Sequence, residues 1–310
     1  MHFRLAPFLC LATVLLTLPV HAQIQVDIAM KRSLFILHEP ILATVTITNL
    51  SGGEVTFEDT GVRQWFGFEV ERMDGRPLPP SDASYTNQPL QLGTGQKISR
   101  TVNLTPLYPF GEFGGYRIRA AVNLAASSRY FTSPNLNIEI TEGRVLWKKT
   151  VGVPQGAPGG GSTRTVTLLS HRLPESTQLY LRIEDDKSGT VYCTHKLGRF
   201  LTFGKPSILL DEKNQVHILQ NIAPKNFIYS HIGLNGEVIQ RKTYNEFGSR
   251  PALRRTTEGG VALVGGQVYD PSAPPPEQAL PTLSDRPVPL PTSGGTTKKD
   301  DKRPENLLSQ

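Results

Sequence analysis

Apolar and polar residues alternate in short runs over positions 23 to 142. Val45 and Ile47 are interleaved with Thr44, Thr46 and Thr48; Val70 sits between Glu69 and Glu71; Tyr116, Ile118 and Ala120 are interleaved with Arg117 and Arg119. A period of two turns one set of side chains into a core and the other towards water, as in a half-buried β-strand. Turn-forming stretches separate the runs: Asn49 to Gly53, Asp74-Gly75, Gly93 to Gly95 and Gly111 to Gly115. Strands at this spacing, with no helical period between them, predict an antiparallel sandwich.

Residues 163 to 270 carry a second pattern, an internal repeat. At an offset of 47, Tyr180, Leu181, Gly189 and Val191 fall on Phe227, Ile228, Gly236 and Val238. At 50, Val166, Leu168, Leu169 and Pro174 fall on Val216, Ile218, Leu219 and Pro224, and at 45, Pro206, Ile208, Val216 and Ile218 fall on Pro251, Leu253, Val261 and Leu263. A unit of about 45 to 50 residues thus recurs roughly two and a half times, each unit reading as strand, loop, strand, hairpin turn and strand. The fold expected is all-β: a sandwich, then a small module of hairpin repeats.

The remaining segments read differently. Residues 1 to 22 run from Arg4 through an apolar stretch, Leu5 to Leu18, to Val20-His21-Ala22. This is the layout of an export signal cleaved after Ala22, and its 14-residue run falls short of the ~20 residues that span a bilayer. Residues 143 to 162 read as a strand followed by a linker between modules, with Pro154, Pro158 and Gly159-Gly160-Gly161. Residues 271 to 310 hold nine of the 25 prolines and no Phe, Trp or Tyr, so they are expected to form a disordered tail.

Two resemblances follow from these residues. His38-Glu39-Pro40-Ile41, the strand through Thr48-Asn49, the strand ending in Met73-Asp74-Gly75, the Leu92-Gly93 to Gly95 turn and Gly114-Gly115-Tyr116-Arg117-Ile118 resemble immunoglobulin-like bacterial modules, of the macroglobulin type or the fold of the intracellular proteinase inhibitor family. The run Pro206 to Asp211, Asn214 to Ile218, Phe227-Ile228-Tyr229 and Asn235-Gly236 resembles β-propeller blades of exported bacterial proteins. The first resemblance implies an immunoglobulin-like sandwich over 23–142, the second blade-like hairpins over 163–270; closing a propeller ring takes about four or more blades.

Composition narrows the chemistry. With 38% hydrophobic and 19% charged residues, 28 Gly and 25 Pro, a polytopic membrane protein and a helical bundle are excluded. Loss of the signal would remove Cys10 and leave Cys193 without an intrachain partner, read as a small buried hydrophobe. His171, His195, His217 and His231 lie in the second module with Cys193, and a soft N/S metal site can be drawn from them; they are read as ordinary strand residues, with no metal or cofactor expected. Glu184-Asp185-Asp186 is read as a polar hairpin tip and no Gly-x-Ser-x-Gly elbow occurs, so no catalytic residue is assigned.

Charge is uneven: residues 23 to 142 carry −2 and residues 143 to 270 carry +7. Arg241, Lys242, Arg250, Arg254 and Arg255 fall within 15 residues and form the candidate anion-binding patch. Nucleic acid ranks last as its partner because aromatics are not interleaved with the cations. The function expected is that of an exported, non-enzymatic binding or scaffolding protein, periplasmic or secreted, holding an unidentified protein or an anionic envelope or glycan partner. A polysaccharide hydrolase or lyase and a proteinase inhibitor are the alternatives.

Overall fold

A computed structural model describes residues 24–61, 63–81, 87–125 and 128–269. The segment read as an export signal, 1–22, and the segment read as a tail, 271–310, lie outside the described residues. Every named element is a strand, and among the described residues no helix is long and apolar enough to cross a membrane.

In the first part of the chain, β1 (Ile24–Ala29), β3 (Leu42–Asn49) and β7 (Lys97–Asn103) form one sheet. A second is ordered β2 (Leu34–Ile36), β10 (Leu136–Thr141), β8 (Gly114–Leu124) and β5 (Phe66–Arg72), with β9 (Arg129–Thr132) also on β8. β4 (Val55–Phe57) and β6 (Leu90–Leu92) form a separate two-stranded sheet. Alternation decides the inward faces. Val45 and Ile47 of β3 and Tyr116, Ile118, Ala120 and Val122 of β8 are buried in one core with Ile24, Phe66 and Ile140. Outside, Thr44 and Thr46 share hydroxyl hydrogen bonds with Thr101 and Ser99 of β7. Arg117 and Arg119 pair across the strands with Glu71 and Glu69. The expected all-antiparallel arrangement has one exception among the described strands: β2 runs parallel to β10.

The chain leaves this sandwich at Glu142-Gly143 and enters two successive meanders. The first is β11 (Arg144–Gly152), β12 (Thr163–Arg172), β13 (Thr177–Asp185) and β14 (Val191–Arg199). The second is β15 (Ser207–Leu210), β16 (Val216–Ala223), β17 (Asn226–Ile232) and β18 (Val238–Asn245), with β21 (Gln267–Val268) along β18. The hairpin β19 (Ala252–Arg255) and β20 (Val261–Val264) follows the second meander in the chain. The sequence repeat maps strand onto strand: offset 50 carries β12 to β16, offset 47 carries β13 to β17 and β14 to β18, and offset 45 carries β15 to β19. One face of each meander meets the other in a core of Val166, Leu168, Leu179, Leu181, Ile183, Val216, Ile218 and Ile232. The outer face of the second builds a smaller core from Leu219, Phe227, Tyr229 and Leu253.

The Gly/Pro-rich stretch differs from its sequence reading. Residues 153–162 join β11 to β12 as a hairpin loop within one sheet rather than linking modules. The Val153 amide donates to the Ser162 carbonyl, and Gly159 and Gly161 take positive φ values of 80° and 81° that favour glycine.

Among the described residues, the sandwich and the meanders belong to one compact unit that ends at Tyr269. They meet through a polar joint around Glu39, which is 2% exposed. Its carboxylate accepts from the Arg32 guanidinium and from the Ile36 amide, and Arg32 Nη1 also donates to the Tyr180 hydroxyl of β13 at 3.3 Å. Tyr180 is fully buried against Ile36 and Leu169, and burial raises its pKa. Arg182 Nη2 donates to the Leu37 carbonyl at 2.5 Å, and burial lowers the pKa of Arg182. A hydrogen bond of 2.8 Å joins Thr141 Oγ1 to His171 Nε2.

Removing the carboxylate should leave a part-buried guanidinium and a buried amide without their acceptor. Glu39→Ala is therefore expected to cost about 3 kcal/mol of unfolding free energy in urea titration, and Tyr180→Phe about 1 kcal/mol. A Glu39→Ala protein as stable as wild type would show that the joint is not a stabilising contact.

Candidate functional site

The four histidines and Cys193 go to three places rather than one. His171 lies at the joint, its ring edge-on to Tyr180. His195 donates through Nε2 to the Gly236 carbonyl at 2.6 Å. Cys193 packs against the core between the meanders beside Gly236, and burial pushes its thiol pKa up to about 11. His217 and His231 come together.

Their meeting follows from the β16–β17 hairpin. The turn is centred on Pro224-Lys225, where Lys225 takes φ 63°. Ala223 pairs with Asn226 across the turn, and a bulge between Asn221 and Ala223 shifts the register by one, so His217 faces His231 directly, on the side of the sheet that carries Leu219, Phe227 and Tyr229. Their rings stack with centroids 4.0 Å apart and planes inclined by 18°. Asp211, in the turn from β15 to β16, joins them. Its Oδ1 accepts from the Lys213 and Gln215 amides at 3.0 and 2.8 Å, so the backbone holds the carboxylate in place. Its Oδ2 lies 3.4 Å from His217 Nε2.

Each imidazole has an oxygen on another nitrogen contact. His217 Nδ1 is 2.8 Å from the Tyr229 hydroxyl, and His231 Nε2 is 2.8 Å from Gln215 Oε1. The amide oxygen can only accept, so His231 carries its proton on Nε2. Burial lowers the pKa of both histidines; for His217 the neighbouring Asp211 opposes the shift, whereas for His231 the facing His217 adds to it. One ligand atom each from Asp211, His217 and His231 lie within 4.8 Å of one another, the one such metal-capable group of three among the described residues. Lys242 and Gln240 of β18 are the register partners of Tyr229 and His231 on the same face.

The five basic residues are all exposed, but the strands divide them. Arg241 is paired with Ser230 and Lys242 with Tyr229, so these neighbours point to opposite faces of β18. Arg241 Nη2 donates to the Leu197 carbonyl at 2.6 Å, tying β18 to β14. The Arg250 guanidinium lies 5.2 Å from the centroid of the Phe227 ring. Arg254 and Arg255 are successive on β19 and also alternate between faces. Glu184-Asp185-Asp186 does sit at a hairpin tip: Asp185 Oδ1 accepts from the Lys187 and Ser188 amides and Oδ2 from Arg164, while Asp186 accepts from Thr165.

A scan against protein-family models finds no match, and a search of curated proteins finds no similar chain.

The thiolate is the reactive form of cysteine, and a thiol pKa of about 11 leaves little of it at neutral pH. In the folded protein at pH 8, iodoacetamide should label Cys193 at least about a hundredfold more slowly than in the denatured chain. Equal rates would show that the thiol is open to solvent.

Proposed function

We propose that the protein is an exported, non-enzymatic binding or scaffolding component of the cell envelope or extracellular space, and that its second module holds an anionic partner. In this reading the first module is an immunoglobulin-like sandwich that serves as a rigid support. The meanders are two blade-like units with part of a third.

The observation that supports the reading is a group of exposed cations on the second module that lack an internal counter-charge. On the second module, none of Arg241, Lys242, Arg250, Arg254 and Arg255 makes a salt bridge among the described residues. Exposed cations without internal counter-charges project a positive potential that concentrates anions at the surface. Arg241 and Arg250 are anchored by a carbonyl and a ring, while Lys242, Arg254 and Arg255 extend from strands held by the smaller core.

Binding of the full chain to phosphatidylglycerol vesicles and to polygalacturonate, with phosphatidylcholine vesicles as the neutral control, tests the proposal. At about 0.05 M salt the wild type should bind at least one anionic probe, and binding should fall steeply towards 1 M, where the screening length is about 3 Å. Lys242→Ser/Arg254→Ser/Arg255→Ser should lose most of that binding with an unchanged melting temperature, since exposed substitutions usually cost within about 0.5 kcal/mol each. Binding by the triple variant equal to wild type, or no binding to either anionic probe, would overturn the proposal.

A further inference from the structure

We infer that Asp211, His217 and His231 form a binding site for one divalent transition-metal ion of the Zn²⁺ class, with a coordination position left open for water or a partner's ligand. The inference is independent of the anionic partner proposed above. It rests on three observations.

The first is the donor set. Two imidazoles and one carboxylate are ligands for borderline cations such as Zn²⁺, Cu²⁺ or Ni²⁺, whereas Mg²⁺ and Ca²⁺ favour all-oxygen cages. Three protein ligands are also the number found where zinc keeps an exchangeable position.

The second is spacing. His217 Nε2 and Asp211 Oδ2 are 3.4 Å apart, long for a hydrogen bond between a ring nitrogen and a carboxylate. Two ligands bonded at about 2.1 Å to one tetrahedral ion are separated by roughly 3.4 Å, so this pair already has the spacing of a shared-ion edge. All three donor groups fall within 4.8 Å of one another.

The third is the support behind the ligands. A metal-bound histidine commonly gives its other N–H to an oxygen, which fixes the ring and its tautomer. Gln215 Oε1 does this for His231 Nε2, and the Tyr229 hydroxyl is placed to do it for His217 Nδ1. The Lys213 and Gln215 amides hold Asp211 in the same way, leaving Oδ2 directed at the histidines.

Stacked rings cannot both contain one ion in their planes, so binding requires the imidazoles to splay. Their terminal torsions are broad and roughly two-fold, which makes that rotation inexpensive, and His231 is only half-buried. Metal binding therefore replaces the 4.0 Å stack with two ring–metal bonds.

The test is titration of the EDTA-stripped full chain with Zn²⁺ by calorimetry and with Co²⁺ by visible absorption, with Mg²⁺ and Ca²⁺ as controls. One equivalent of Zn²⁺ should bind, Co²⁺ should develop d–d bands from nitrogen and oxygen ligation, and the hard cations should give no response. His231→Ala and Asp211→Asn should each weaken Zn²⁺ binding at least tenfold. Gln215→Ala, which removes only the supporting oxygen, should weaken it by about 10- to 100-fold. Cys193→Ser should bind as wild type does, and unchanged apo melting temperatures would separate lost ligation from lost fold. Absence of Zn²⁺ binding, insensitivity to both His231→Ala and Asp211→Asn, loss of binding in Cys193→Ser, or equal response to Mg²⁺ would overturn the inference.

Discussion

The Glu39 carboxylate is the constraint on which the arrangement of this protein depends. It is buried where the sandwich meets the meanders, and a buried carboxylate persists only when its charge is matched and its oxygens are hydrogen-bonded. Arg32 and the Ile36 amide meet that requirement from the sandwich. Because Arg32 also donates to Tyr180, the same charge pair is tied to β13 in the centre of the first meander. Arg182 and His171, on β13 and β12, add direct links to Leu37 and Thr141. Directional bonds of this kind select one orientation between the two parts, whereas the apolar contact of Ile36 with Leu169 and Tyr180 alone would tolerate sliding.

From that fixed joint, the meanders carry their two faces to different tasks. The face turned to the neighbouring meander is aliphatic and closed. The outer face of the second meander is mixed: Leu219, Phe227 and Tyr229 form a small core, and His217, His231 and Asp211 lie beside it. Short strands with strict alternation make this possible, because a single hairpin can supply a core residue and a polar ligand at consecutive positions.

The sequence made much of this visible, and the losses have physical causes. Val45, Ile47 and the Tyr116 to Ala120 series are inward as their alternation requires. The repeat offsets match β12 to β16, β13 to β17 and β15 to β19 because equivalent strands preserve spacing even where residues differ. The Gly159 to Gly161 stretch reads as a linker from sequence because glycine-rich turns serve hairpins and linkers alike; only the pairing of β11 with β12 shows it to be a hairpin loop. Alternation places His217 and His231 on one face with Leu219 and Tyr229, but their direct facing depends on the bulge between Asn221 and Ala223, which shifts the register by one. Asp211 carries no such signal, because it reaches the pair through a turn and not through a ladder position. Nor does the joint, in which Arg32 and Tyr180 are 148 residues apart.

The central claim is that the sandwich and meanders behave as one body because of the polar joint. Differential scanning calorimetry of the full chain tests it most directly. A single transition is expected, with calorimetric and van't Hoff enthalpies equal. Two resolved transitions in the wild type, one for each part, would contradict the account.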